Sequence, residues 1–253
     1  MFRTIPVLRR VNVWLVAPVL FLALDQLPTQ TTVYMIGDST MSDKPLDDNP
    51  ERGWGQMLQK FFDSTVTVEN HAMNGRSTRS FLAENRWQPV LEKLRPGDYV
   101  FIQFGHNDEK PEKVDRYTPP EDYRKNLIRF VTEASARKAF PVLCTPIVRR
   151  RFDKEGKFYD EHGVYPGIVR EVAAEYKVPL LDMHKKTMDL LVALGPDSSK
   201  KIFLWIRPGE YKSLPNGRED NTHFSDYGAT TMAQIAVSCM QEQKLELATH
   251  LRR

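Results

Sequence analysis

Thr31-Thr32-Val33-Tyr34-Met35-Ile36-Gly37-Asp38-Ser39-Thr40 opens with β-branched, aromatic and apolar residues, breaks at a glycine, and delivers three polar side chains. An apolar run of this kind reads as a buried strand. Gly37 permits a tight turn, so Asp38, Ser39 and Thr40 fall at the strand's carboxyl end. In an open α/β sheet that edge is where ligands bind. Ser39 is therefore a candidate nucleophile. The competing reading is that Asp38 or Ser39 caps the next helix, a position both residue types favour.

The rest of the chain extends this unit. Residues 54–62 place Trp54, Met57, Leu58, Phe61 and Phe62 at helical spacing. Residues 66–71 alternate as a second strand and run into a loop, 72–78, whose one glycine is Gly75. A helical stretch over 80–94 is expected to kink or split near Pro89. Residues 98–104 form a third strand, ending in Gly105-His106-Asn107-Asp108. Then follow a helix over 120–138, a strand over 140–145 and a basic surface excursion at Arg149-Arg150-Arg151. A helix over 165–176, a fifth strand over 178–182 and a helix over 184–194 come next. Residues 195–219 read as loop, with an apolar patch at 202–206 suited to a short hairpin, before a last helix over 226–242. Five strands alternating with helices specify an α/β fold with a parallel sheet covered on both faces. Right-handed crossovers favour a flavodoxin-like strand order. The polar loops after strands one, two and three then share one sheet edge.

With 253 residues, 41% hydrophobic and 27% charged, the chain suits one globular domain with a sizeable core. A net charge of +3 gives no nucleic-acid footprint. Arg3, Arg9 and Arg10 precede a mostly apolar run over 11–24, interrupted by Asn12 and Pro18. This pattern predicts a secretory signal over 1–28, followed by a domain over 29–253 and export to a periplasmic or extracellular compartment. The run is short for a membrane span, and no clear cleavage triplet precedes Asp25, so an uncleaved anchor is the alternative and no other membrane partner is expected. Cys144 and Cys239 lie in apolar element interiors and read as two buried thiols rather than a disulfide.

An acyl-transfer site needs a nucleophile, a base, a group that orients the base, and donors for the oxyanion. Among six histidines only His223, in a polar stretch, has a carboxylate three residues before it. In a turn, Asp220 can reach Nδ1–H, fix the tautomer and stabilise the imidazolium. The alternative is a helix-entry turn capped by Ser225 or Asp226. Backbone N–H groups of Ser39 and Gly75 and the Asn107 amide are the oxyanion candidates; an Asx turn at Asn107 and a tight turn at Gly75 are the competing roles.

Gly37-Asp38-Ser39, Gly75, Gly105-x-Asn107-Asp108 and Asp220-x-x-His223 resemble, in order and spacing, the four blocks of SGNH (GDSL-type) hydrolases. The resemblance implies a three-layer α/β/α flavodoxin-like sandwich, Ser39 as nucleophile, His223 as base and Asp220 as its orienter. It also implies the Ser39 and Gly75 N–H groups and Asn107 Nδ2 as oxyanion donors, with no metal or organic cofactor. Residues 36–41, Gly53-Trp54-Gly55, residues 74–78, residues 104–108 and residues 220–225 resemble, more narrowly, rhamnogalacturonan acetylesterases and related bacterial pectin acetylesterases. This implies an acetylated polysaccharide or oligosaccharide as substrate. The apolar stretch before Asp220 departs from that pattern. Arg76, Arg79 and His106 are expected as substrate contacts, and the run Arg149–Arg151 is a further candidate with a solvated surface cluster as the competing reading; a guanidinium suits the role because it binds carboxylate in two places. Trp54, Trp87 and Trp205 are candidates to stack on sugar rings, with a core role for Trp54 as the alternative. The rival readings are an enzyme of the same fold acting on xylan, sialate, lysophospholipid or thioester substrates, and a carbohydrate-binding protein without catalysis.

Overall fold

The computed structural model describes Met1 and residues 30–252; the expected signal segment otherwise lies outside the described residues. Strands β1 (Thr31–Gly37), β2 (Val66–Asn70), β3 (Tyr99–Gln103), β4 (Phe140–Cys144) and β5 (Leu180–Leu181) form one parallel sheet in the order β2-β1-β3-β4-β5. This is the flavodoxin-like order, with β1 at the switch point beside β2 and β3.

Successive strand side chains point to opposite faces, and the core divides accordingly. Val33, Met35, Tyr99, Phe101, Val142 and Cys144 face one layer, built by α1 (Trp54–Leu58), α6 (Met183–Ser198) and α7 (Asp226–Glu242). Tyr34, Ile36, Val100, Ile102 and Leu143 face the other, built by α2 (Thr78–Ala83), α3 (Trp87–Lys93), α4 (Pro120–Ala136) and α5 (Tyr165–Tyr176). The result is the expected three-layer α/β/α sandwich. Cys144 and Cys239 are both buried and free.

The structure departs from the sequence reading in four places. The break in the helical stretch over 80–94 falls at Asn85, in left-handed backbone at φ 55, rather than at Pro89. Pro89 sits in the first turn of α3, where its missing N–H leaves no bond unmade. The fifth strand shrinks to two residues. The helix expected over 184–194 continues to Ser198 through a kink at Gly195. The stretch over 195–219 is not all loop: β6 (Phe203–Ile206) pairs antiparallel with β7 (Arg218–Phe224), forming a two-stranded ribbon apart from the main sheet.

Candidate active site

Three loops from the carboxyl edge of the sheet meet at Ser39. The turn after β1 is fixed from beneath. Asp38 is fully buried, and its Oδ1 accepts from Thr40 N at 2.9 Å and Thr40 Oγ1 at 2.8 Å. Gln103 Nε2, at the end of β3, donates to Thr40 Oγ1 at 2.8 Å, and Trp54 Nε1 donates to Gln103 Oε1 at 2.5 Å. Gly53 lets α1 begin against this turn: a Cβ there would lie 2.1 Å from the Ser42 carbonyl oxygen. Trp54 N then donates to Thr40 O at 2.9 Å.

The second loop continues the β1–β2 pairing past the strand end, with Met73 N donating to Gly37 O at 3.0 Å. Gly75 follows at φ +75, a left-handed conformation that side chains resist. The third loop brings Asn107, whose Nδ2 donates to Arg76 O at 3.0 Å, one residue beyond Gly75. Asp108 ties the second and third loops together: its Oδ1 accepts from Thr78 N at 2.9 Å and Thr78 Oγ1 at 2.6 Å, at the start of α2. Its Oδ2 is buried with no partner among the described residues, and burial pushes the Asp108 carboxyl up to about 7. Neither Ser39 N–H nor Gly75 N–H donates to a protein acceptor among the described residues. Together with the second N–H of Asn107, they are the candidate donors for a ligand oxygen.

The ribbon supplies the rest. Between Phe203 and Leu204 the register jumps from Phe224 to Asp220, so residues 221–223 bulge out of β7 without partners in β6. Asp220 Oδ1 closes the bulge, accepting from Thr222 N at 2.8 Å and His223 N at 2.9 Å. His223 is thereby aimed at the sheet edge: Ser39 Oγ lies 2.8 Å from its Nε2, and its Nδ1 lies 2.8 Å from Asp220 Oδ2. Burial opposes ionisation of Asp220, yet the hydrogen bonds from His223 and the bulge backbone hold its carboxyl well below the usual carboxylate range. With Nδ1–H donating to that carboxylate, Nε2 is left as an acceptor for the serine hydroxyl. The helix cap is a different residue: Ser225 Oγ accepts from Gly228 N at 3.0 Å and starts α7.

The structure joins Ser39, His223 and Asp220 in one hydrogen-bonded line and ties Asn107 to the Gly75 loop through Arg76 O, and it gives the other expected contacts protein partners. His106 is 3% exposed and donates Nδ1–H to Asp38 Oδ2 at 3.1 Å, supporting the turn from inside rather than facing substrate. Burial brings its imidazole down to about 4 despite that carboxylate. Burial opposes ionisation of Asp38 in turn, but His106 and Thr40 bring its carboxyl down to about 2. Near neutrality the pair is thus an anion and a neutral ring.

Arg76 is held by Glu84, with Nε at 3.0 Å from both carboxylate oxygens, and Arg79 donates to the carbonyls of Val114 and Tyr117. The basic excursion proves to be largely interior. Arg149 is 5% exposed, pairs with Glu109 and donates to His106 O at 3.0 Å. Arg150 is 8% exposed, lies over the Trp205 ring at 4.8 Å and donates to Asn221 Oδ1 at 2.9 Å, bracing the bulge from its outer side. Arg151 pairs with Glu161 at 2.7 Å. Arg149 and Arg150 read as surface because nothing in the local sequence announces their partners, which lie 40 to 71 residues away. Trp54 and Trp87 are core residues, 0% and 1% exposed. Trp205 lines a cavity of about 520 Å³ with Tyr211, Tyr227, Lys200 and Lys201, on a part of the ribbon that does not include Ser39.

Sequence reasoning missed Arg116, whose Nη1 lies 3.2 Å from where a Cβ of Gly75 would stand. Its Nε and Nη2 bind Asp115, leaving Nη1 beside the donor loop. It also missed Lys44, Glu51 and Arg218. Only the last carried a signal, since Arg218 and Asp220 lie two apart on one strand and share a face. Among the described residues no three His, Cys, Asp or Glu side chains are grouped to hold a metal ion.

The chain is similar to known proteins in both sequence and fold. The chain is 42% identical over 219 residues to the rhamnogalacturonan acetylesterase RhgT of Bacillus subtilis (strain 168), covering 87% of this chain and 93% of that protein. It is 32% identical to the probable rhamnogalacturonan acetylesterase YesY of the same organism, covering 85% of this chain and 94% of that one. Its fold matches a crystal structure of Bacillus subtilis YxiM with a TM-score of 0.73 at 26% identity, over 86% of this chain and 58% of that one. An acetylxylan esterase from Geobacillus stearothermophilus, Axe2, shares the fold at a TM-score of 0.60 and 18% identity, over 87% of this chain and 98% of that one. The sequence profile of the GDSL-like Lipase/Acylhydrolase family matches residues 35–230, a span that holds Ser39, Gly75, Asn107, Asp220 and His223, and the chain belongs to that family of carboxylic ester hydrolases.

Proposed function

We propose that the protein is a serine acetylesterase that removes acetyl groups from pectin of the rhamnogalacturonan type. The observation that carries this reading is 42% identity to the rhamnogalacturonan acetylesterase RhgT along nearly the whole of both chains. The side-chain geometry supports the chemistry. Ser39 Oγ gives its proton to His223 Nε2 as it attacks the acetyl carbonyl, and Asp220 stabilises the imidazolium that forms. The oxyanion meets the N–H groups of Ser39 and Gly75 and Asn107 Nδ2, which are in place before charge develops. The imidazolium returns its proton to the departing sugar oxygen. Water, activated by the same nitrogen, then releases acetate from the acetyl-enzyme.

The N-terminal run supports export, with residues 1–28 as signal and the hydrolase domain following. N-terminal sequencing of the protein recovered from outside the cytoplasm tests this, and an intact Met1 on soluble exported protein would rule out cleavage. Substrate class is tested by acetate release from acetylated rhamnogalacturonan, acetylated xylan and a long-chain nitrophenyl ester, with Ser39→Ala as control. Release should be fastest from rhamnogalacturonan and absent in the control. A faster rate on xylan would reassign the substrate.

A further inference from the structure

Asp220 and the Gly75 loop come from distant parts of the chain, and a line of alternating charges joins them. Lys44 is 5% exposed. Its ammonium donates to Asn74 Oδ1, one residue before Gly75, and to Ser42 Oγ at 3.0 Å, and it pairs with Glu51 Oε1 at 2.9 Å. The other oxygen of Glu51, Oε2, lies 3.2 Å from Arg218 Nη1. Arg218 Nη2 donates to Asp220 Oδ2 at 2.5 Å, the oxygen that also accepts from His223 Nδ1.

We propose that Glu51 is a positioning residue that couples the two halves of the active site, holding the Asn74–Gly75 loop through Lys44 and the Asp220–His223 pair through Arg218. The proposal rests on Ser39 and His223 being nucleophile and base. Its physical basis is charge compensation. A buried ammonium needs an anion beside it, and among the described residues Glu51 is the carboxylate paired with Lys44. Arg218 competes with His223 for one carboxylate oxygen, and its charge disfavours an imidazolium nearby; Glu51 binds Arg218 from the other side and offsets that charge.

The charged groups around His223 are Asp220 and Arg218 on its own strand and Glu51 and Lys44 from the segment before α1. The Arg52–Asp226 pair, at 3.9 Å, flanks the end of the ribbon, and Asp38 with His106 lies beneath Ser39. Removing either member of the Glu51–Arg218 pair changes the field at the base, with opposite signs.

The test is the pH dependence of kcat and KM for the full chain on nitrophenyl acetate, a neutral substrate that neither charge would recruit. Glu51→Gln removes an anion, so the acid limb of kcat/KM should move to lower pH by roughly half to one unit, the size expected for one charge a few ångströms off in a wet site. Its kcat should fall about tenfold or more with little change in KM. Arg218→Gln removes a cation and should move the limb the other way by a similar amount, with Arg218→Lys restoring it. Arg218 is half-exposed, so its variants keep the test available if Glu51→Gln does not fold. Limbs that overlay the wild type, or that move in the same direction in both variants, overturn the proposal. Ser39→Ala separates the two levels: activity retained there refutes the nucleophile itself, whereas a dead Ser39→Ala with unmoved limbs refutes only the role of Glu51.

Discussion

The sheet edge and the ribbon build the site in different ways. At the sheet edge, Ser39, Gly75 and Asn107 follow three neighbouring parallel strands, so topology alone brings them together. Their supports are hydrogen bonds within and between these loops: Asp38 to Thr40, Met73 to Gly37, Asp108 to Thr78. Asp220 and His223 ride on a separate two-stranded element whose bulge is closed by Asp220 itself and braced by Arg150, Arg218 and Glu51. The two should therefore respond to different variants: the base to changes of charge beside the ribbon, the nucleophile to changes that strand a buried donor or acceptor beneath it.

That contrast can be broken most forcefully at Asp220. Asp220→Asn should lower kcat by about 10⁴ while leaving the fold intact, because the amide favours the wrong imidazole tautomer; a stopped assay of acetate release at saturating substrate measures it, and a loss below tenfold would remove Asp220 from the mechanism. At the sheet edge the expected effect is smaller. Asn107→Ala removes one oxyanion donor and should lower kcat by roughly 10²–10³, and an unchanged rate would leave the backbone donors working alone.

Asp108 sharpens the comparison through stability. Its folded carboxyl titrates near 7, above the ordinary value of 3.8, so the stability it confers is present below about pH 4 and is lost as pH rises toward 7. Asp108→Asn abolishes that loss. The midpoint difference between variant and wild type should therefore become more favourable to the variant from pH 5 to pH 8, by on the order of 2 kcal/mol; a difference that stays flat across that range contradicts the assignment. The smallest effect concerns Arg116. With Nη1 beside Gly75, Arg116→Ala should raise KM a few-fold on galacturonate-containing fragments, about what one exposed ion pair contributes, and leave nitrophenyl acetate untouched. Equal changes on both substrates would make it structural.

Most of the fold was legible because continuous apolar runs such as Tyr34–Ile36 and Val100–Ile102 mark strands buried on both faces, and in the structure their side chains alternate between two helical layers. The block residues were legible from their order and spacing: Ser39, Gly75 and Asn107 each follow an expected strand, and His223 alone among the histidines has a carboxylate three residues before it. The ribbon was legible only in part. Residues 202–206 read as an apolar patch suited to a short hairpin, but the strand they pair with begins Arg-Glu-Asp-Asn-Thr-His, polar until Phe224. Periodicity has nothing to detect in such a strand. The buried arginines were missed for a similar reason, as their partners are set by tertiary packing alone.

The hydrogen bonds from Trp54 to Gln103, from Gln103 to Thr40 and from Thr40 to Asp38 run wholly inside the protein, under the residue that attacks. Each of three chain segments supplies one link and none can be exchanged alone without stranding a buried donor or acceptor. In evolutionary terms this is a lock with three keys. Homologous chains should therefore change these positions in concert, and the spot beneath the serine should drift far more slowly than solvent-exposed positions elsewhere on the chain.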